Sequence, residues 1–326
     1  MALMREHSSS SSSTPLDASK KIKVQITRTW QGNNTESDNS IDMGTRIHTT
    51  IDENEAFSEW ISEIGNGRIN NPNDRETEVD ISEDLLITEC NDPIKPIVNQ
   101  VYGESFAESH NLDFYQEKAI LCHTDDVVDQ INDYMISLLP GEEQVCYSAD
   151  SIYTSTPNDD MLYPLEFLNS LNPSGLPGFK LRLKVGAPVM LLRDLNPSEG
   201  FCKGTRLQIT RLARFVLEAR IITGNRRGEK ILLPRIPAYP SDADYPTKIK
   251  RNQFPLKLAF AMTIDEGQVQ TLSKVGLYLP RRVFSNGQMY VAISKVKSSA
   301  GLKVLITDKN AATDEETKNV VFKKVF

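Results

Sequence analysis

The patterned part of the chain begins with alternation. Lys21-Ile22-Lys23-Val24-Gln25-Ile26-Thr27-Arg28 places polar and apolar side chains in turn and predicts a strand. After a polar, turn-rich stretch, Arg46-Ile47-His48-Thr49-Thr50-Ile51 predicts a second strand. The period then changes. Phe57, Trp60, Ile61 and Ile64 recur at helical spacing, and Gly65 is placed to end the helix. At Ala119-Ile120-Leu121-Cys122 an apolar run without alternation leads into 125–139, where Val128, Ile131, Met135 and Leu138 line one helical face. That sequence predicts a buried parallel strand feeding a helix. Five short strand-like runs follow, at 179–185, 188–192, 205–209, 215–222 and 230–233, parted by Gly, Asn and Pro. Their spacing predicts a small β-barrel. The runs at 258–263, 274–279 and 301–306, with a helix around 285–293, restore the alternation of β and α. The expected fold is therefore an α/β domain interrupted by an inserted barrel.

Composition adds a polarity that the hydropathy pattern does not show. With 39% hydrophobic and 25% charged residues in 326, the chain has the make-up of a soluble intracellular protein of about two domains. No apolar run is long enough for a membrane span, and the N-terminus lacks the apolar core of a secretory signal. Residues 1–180 carry 11 Lys and Arg against 32 Asp and Glu, whereas 181–326 carry 26 against 12. A basic half suits a polyanion such as nucleic acid, since neutralising phosphates releases counterions; the alternative is that the two halves pair with each other. Ser8 to Ser13 form an unbroken run, so 1–20 is expected to be a disordered tail. Cys90, Cys122, Cys146 and Cys202 are too scattered for a zinc pair or a disulfide framework and read as reduced thiols.

The motifs near the C-terminus carry a resemblance. Gln253-Phe254-Pro255-Leu256, Ala259-Phe260-Ala261-Met262-Thr263-Ile264, Gln270-Thr271-Leu272, Lys274-Val275-Gly276-Leu277-Tyr278-Leu279-Pro280 and Gly287-Gln288-Met289-Tyr290-Val291-Ala292-Ile293-Ser294 resemble the closing motifs of Pif-type (petite integration frequency) DNA helicases. Upstream, 57–86, 119–134 and 186–207 resemble the same family in the same order, the plant forms carried by Helitron-type elements above all. The resemblance covers roughly residues 57–308. It implies ATP and Mg²⁺ as cofactors, a second RecA-like domain with an SH3-like barrel inserted, single-stranded DNA as partner and a nuclear location. The N-terminal strands, with Trp30, Ile41 and Met43, resemble the start of a replication-protein-A-like OB-fold but are too few to complete one. Trp30 reads either as a base-stacking or as a core side chain.

The expected division is a tail at 1–20, partial OB-like strands at 21–52, a remnant of the first helicase domain at 53–115, RecA-like domain 2 at 116–178 and 247–310, the barrel at 179–246 and a C-terminal tail at 311–326. The family's first domain brings a glycine-rich loop ending in Gly-Lys that cradles the triphosphate, and this chain contains no Gly-Lys dipeptide. It is therefore expected to be a truncated helicase without Walker motifs, inactive alone. The alternatives are an enzyme completed in trans by another helicase chain, a non-catalytic single-strand-binding module, and a protein-interaction remnant.

The site residues that the resemblance implies are Gln268, Gln270 and Lys295 for ATP, with Lys295 standing where the family has an arginine against the γ-phosphate. Thr124, Thr271, Lys203 and Arg206 are implied for nucleic acid, and no metal ligands are expected. Further cations at Arg211, Arg214, Arg226 and Arg227 read either as a basic surface or as solvated faces. Asp265-Glu266-Gly267-Gln268-Val269-Gln270-Thr271 departs from the family's Asn-Lys-Ser-Gln-Gly-Gln-Thr: Glu266 reverses a charge expected to face phosphates, and Val269 replaces a glycine. After its apolar run, Asp265-Glu266 also imitates a Mg²⁺-binding strand end. Asp125 stands beside Thr124 where the family has Asn.

Overall fold

The computed structural model describes residues 21–25, 46–66, 76–88, 92–104, 106, 114–152, 164–171, 173, 175–240, 249–280 and 288–307. The two tails, Trp30, Ile41 and Met43 lie outside them. In chain order the elements begin with β1 (Lys21–Gln25), α1 (Arg46–Asn66), β2 (Glu76–Asp80) and α2 (Ile94–Tyr102). Next come β3 (Lys118–Cys122), α3 (Asp125–Leu138), β4 (Gln144–Tyr147), β5 (Ala149–Ile152) and α4 (Leu165–Ser170). The strands β6 (Lys180–Leu183), β7 (Pro188–Leu191), β8 (Arg206–Leu212), β9 (Val216–Ile221), β10 (Lys230–Pro234) and β11 (Ile236–Ala238) follow. The chain continues through β12 (Ile249–Gln253), β13 (Leu256–Leu258), β14 (Ala261–Thr263), β15 (Lys274–Leu279), α5 (Gln288–Ile293) and β16 (Leu302–Ile306).

A parallel sheet in the order β14-β3-β15-β16 organises one part of the molecule. Its strands are apolar on both sides because both faces are covered, which is why β3 shows no alternation in sequence. Ala119 and Leu121 join the core formed with Phe57 and Ile64 of α1 and with Met289 and Ala292 of α5. Ile120 and Cys122 join the opposite core with Ile97 and Val101 of α2 and with Val128 and Ile131 of α3. Asn132, buried on α3, donates to the Ala261 carbonyl at 3.1 Å and accepts from the Ala261 N–H at 2.9 Å, so α3 is pinned to the first residue of β14.

Two expectations change at the N-terminal side. The strand expected at 46–51 is the first part of α1, and β1 pairs with β2 instead. Ile47 and Ile51 are four apart, which suits a helical face as well as a short alternation, and the longer periodicity through Ile64 wins. The segment assigned to a remnant first domain also forms no separate core among the described residues: α1 and α2 cover the two faces of this one sheet, and the Ile87 N–H donates to the Val304 carbonyl at 2.8 Å.

The chain leaves the parallel sheet after α3 and returns at β14. Between them lie an antiparallel sheet in the order β10-β9-β8-β7-β13, a three-stranded sheet β11-β12-β5 and the pair β4-β6. The insert thus draws strands from 144 to 258, beyond the 179–246 read from sequence. Its apolar faces, including Leu207, Ile209, Leu217 and Leu233, are continuous with the core under α2 and α3. The five strand-like runs read from the sequence coincide with β6 to β10.

Candidate nucleic-acid and nucleotide interface

The parallel sheet and the insert meet at a cleft of about 440 Å³. On the sheet side it is lined by Gln116 and Glu117, which precede β3, and by Gln270, Thr271 and Leu272, which precede β15. It therefore lies at the N-terminal end of the parallel strands. On the insert side stand Gly200 to Thr205 without Phe201, and the turn after β9 that carries Thr223, Gly224, Asn225 and Arg226. Gly204 and Gly224 take φ of +87° and +81°, a backbone form that side chains disfavour.

Three of the residues expected from the resemblance converge here. Lys203 is exposed, and its backbone N–H donates to Asp194 Oδ1 at 2.7 Å, fixing the turn that carries it. The Gln270 carboxamide spans the cleft, its Nε2 donating to the Gly204 carbonyl at 3.3 Å, while its buried Oε1 has no donor among the described residues. Thr271 is exposed beside it. Lys295 joins by its backbone: its carbonyl accepts from the Leu272 N–H at 2.8 Å, and burial lowers the pKa of its ammonium.

The neighbouring charges are largely committed to one another. Glu117 is bonded by the Ser273 hydroxyl and by Lys297 at 3.0 Å, and these contacts hold its carboxyl below the usual range. Arg226 pairs with Glu229 and Glu199 and lies over the Phe201 ring at 4.9 Å, so it is not an open cation.

Arg206 does not belong to an exposed basic surface. Its side chain is fully buried, and its guanidinium donates to the carbonyls of Gln116, Lys118 and Ala259 at 3.4, 3.0 and 3.1 Å. It joins the insert to the base of the parallel sheet, where no phosphate can reach it. The assignment of Arg206 to nucleic acid is corrected accordingly.

Thr124 stands at the opposite, C-terminal end of β3. It is exposed and extended at the N-cap of α3, with no side-chain capping bond. Beside it Lys257 binds Glu266 at 2.5 Å and Asp125 at 3.6 Å, and the Thr263 N–H donates to Glu266 Oε2 at 3.1 Å. Two of the acidic departures from the family pattern, Asp125 and Glu266, are thus gathered around one lysine. Lys257 went unnoticed in the sequence because its partners are 132 and 9 residues away. The complementary charges at 125, 257 and 266 were the available signal. Gln268 lies on the single 3-10 turn Glu266–Val269 between the two ends of the sheet. Among the described residues no group of three or more His, Cys, Asp or Glu is placed to hold a metal ion, and no helix is long and apolar enough to cross a membrane.

A parallel sheet covered by helices on both faces and interrupted by a small antiparallel insert defines an α/β fold, the class that the sequence resemblance implied. Comparison with known proteins shows what the chain is similar to. The family model described as "DNA helicase Pif1, 2B domain" matches residues 166–212, a stretch running from α4 through β8. The ATP-dependent DNA helicase PIF1 of Homo sapiens is 32% identical over 191 residues, 58% of this chain and 27% of that protein. Its counterpart in Danio rerio is 28% identical over 208 residues, 63% of this chain and 30% of that protein. Among solved structures, a Bacteroides Pif1 helicase in complex with ADP-AlF3 and ssDNA is 19% identical with a TM-score of 0.47, covering 76% of this chain and 48% of that one. The chain is thus similar to Pif-type DNA helicases over part of their length. It spans less than a third of the length of these curated relatives.

Proposed function

We propose that this chain binds single-stranded nucleic acid through its backbone phosphates, weakly and without sequence preference, and that it turns over no ATP by itself. ATP-driven unwinding of DNA, in the form carried by plant Helitron-type elements, is then its ancestral activity. The observation that carries the binding reading is the convergence of Lys203, Gln270 and Thr271 on one cleft between sheet and insert. A triphosphate with Mg²⁺ does not suit the residues described. The charge that should face phosphates is Glu266, already held by Lys257, and phosphoryl transfer depends on positioned cations and a metal. Lys295 keeps a positive charge but lacks the two-pronged donor of arginine. The greater length of the relatives supports a second reading, in which the phosphate-binding segment comes from another chain or from upstream sequence of the same gene.

Fluorescence anisotropy with a labelled oligo-dT and phosphate release measured with ATP, Mg²⁺ and DNA separate these readings. The first expects salt-sensitive binding and no DNA-stimulated turnover; turnover by a homogeneous preparation would overturn it. Lys203→Ala should weaken binding about equally for all sequences and reduce the salt slope by about 1. Glu266→Gln should strengthen binding several-fold, because it releases Lys257 and removes a negative charge beside Thr124. An unchanged affinity in both variants would remove both residues from the interface.

A further inference from the structure

The β8–β9 hairpin ends in an apolar side chain that the fold does not use. Phe215 is 71% exposed, the most exposed large apolar residue among those described. It sits in the three-residue connection 213–215, immediately after the pair Leu212 and Leu217, whose side chains turn to the core. The hairpin beneath is well anchored. Leu217, Ala219 and Ile209 are buried, and an irregularity between Ile209 and Arg211 shifts the register just below the tip. Such bulges re-aim the end of a strand pair.

The surroundings of the ring are cationic. Arg211 and Arg214 are both exposed, neither forms an ion pair among the described residues, and the Arg214 guanidinium lies 5.1 Å from the Phe215 ring centroid. The carboxylate opposite Arg211 in register, Glu218, is bonded by the Thr210 hydroxyl at 2.7 Å and by Lys230 at 2.9 Å, and feels Arg211 only through its field. An exposed aromatic with Arg214 against its ring and Arg211 on the same hairpin, in the basic half of the chain, has the composition of a stacking platform for an unpaired base and its phosphates. The arginines add positive charge, for which a phosphate backbone offers a partner and a purely apolar surface does not.

We propose that Phe215 stacks on a base of single-stranded nucleic acid, with Arg211 and Arg214 contacting the flanking phosphates. This rests on the reading of the chain as a single-strand binder but adds a contact at the hairpin tip, on different residues from those of the cleft. The test is Phe215→Trp in the full chain, titrated with unlabelled oligo-dT while tryptophan emission is followed, alongside anisotropy of Phe215→Ala. A saturable quench beyond that of the parent chain, whose tryptophans are Trp30 and Trp60, is expected, together with roughly tenfold weaker binding for Phe215→Ala. The Trp variant should bind as tightly as the parent, since the indole supplies a larger face. No added quench while the parent binds oligo-dT, or a Phe215→Ala affinity within twofold of the parent, would overturn the proposal and leave the cleft reading standing. Absence of binding by the parent would instead sink both.

Discussion

Asp150→Ala should cost the fold about 3–5 kcal/mol and lower the melting midpoint by about 10 °C, because it strands a buried guanidinium. Arg251 and Asp150 are a fully buried ion pair, both side chains at 0% exposure, with Nη2 and Oδ2 2.7 Å apart. Arg251 Nε also donates to Asp150, Nη1 donates to the Pro177 carbonyl and Nη2 to those of Leu168 and Leu171 at 3.0 to 3.1 Å, and the Ser148 hydroxyl donates to Asp150. One side chain on β12 thereby holds β5, the end of α4 and the approach to β6. Removing the carboxylate leaves a cation with only neutral acceptors in a dry site. Differential scanning calorimetry reads the change directly. A shift below about 2 °C would mean that the carbonyls alone carry the charge. Replacing the pair together by Met and Leu should restore most of the loss, since well-packed apolar side chains often match a buried ion pair.

Gly301→Ala should be comparably damaging, about 3 kcal/mol or more, for a steric reason. A Cβ at that position would stand 2.1 Å from the Ser273 carbonyl oxygen, a backbone atom that cannot swing aside. Gly276→Ala meets a softer obstacle: its Cβ would lie 2.6 Å from Val101 Cγ2 and 2.9 Å from Ile97 Cγ1, both on α2. It should cost less than Gly301→Ala, and combining it with Val101→Ala should recover part of the loss. Urea midpoints with an unchanged slope would report both effects, and equal sensitivity at the two glycines would contradict this ranking.

How far the sequence reached depends on which forces act locally. The buried strand β3, the helix α3 and the strands β6 to β10 were legible because each carries its own hydrophobic rhythm. Arg206 was misread for a physical reason. In Arg206-Leu207-Gln208-Ile209 the alternation implies one wet face, yet all four side chains are buried, Arg206 against the base of the parallel sheet and Gln208 against the Gly186 carbonyl. A cation facing three carbonyls leaves no trace in periodicity. The cleft was out of reach in the same way, being assembled from segments near 116, 204, 224 and 270. Of its residues the family motifs supplied Gln270 and Thr271, and charge supplied Lys203. The helix at 46–51 was missed because six residues are too short a window to separate a period of 2 from one of 3.6.

The point at which the insert interrupts the sheet governs how the chain can fold. Ile120 must find Ala261, about 140 residues away, before β3 acquires its outer neighbour, whereas β7 to β10 pair with successive neighbours across far shorter connections. Closing so long a loop is entropically slow, so the insert should acquire structure first and draw the distant strands together. On a ribosome both hydrogen-bonding edges of β3 stay bare, the outer one until β14 emerges and the inner one until β15 does. A lesion inside the insert would then show itself as aggregation through those waiting edges, far from the altered residue.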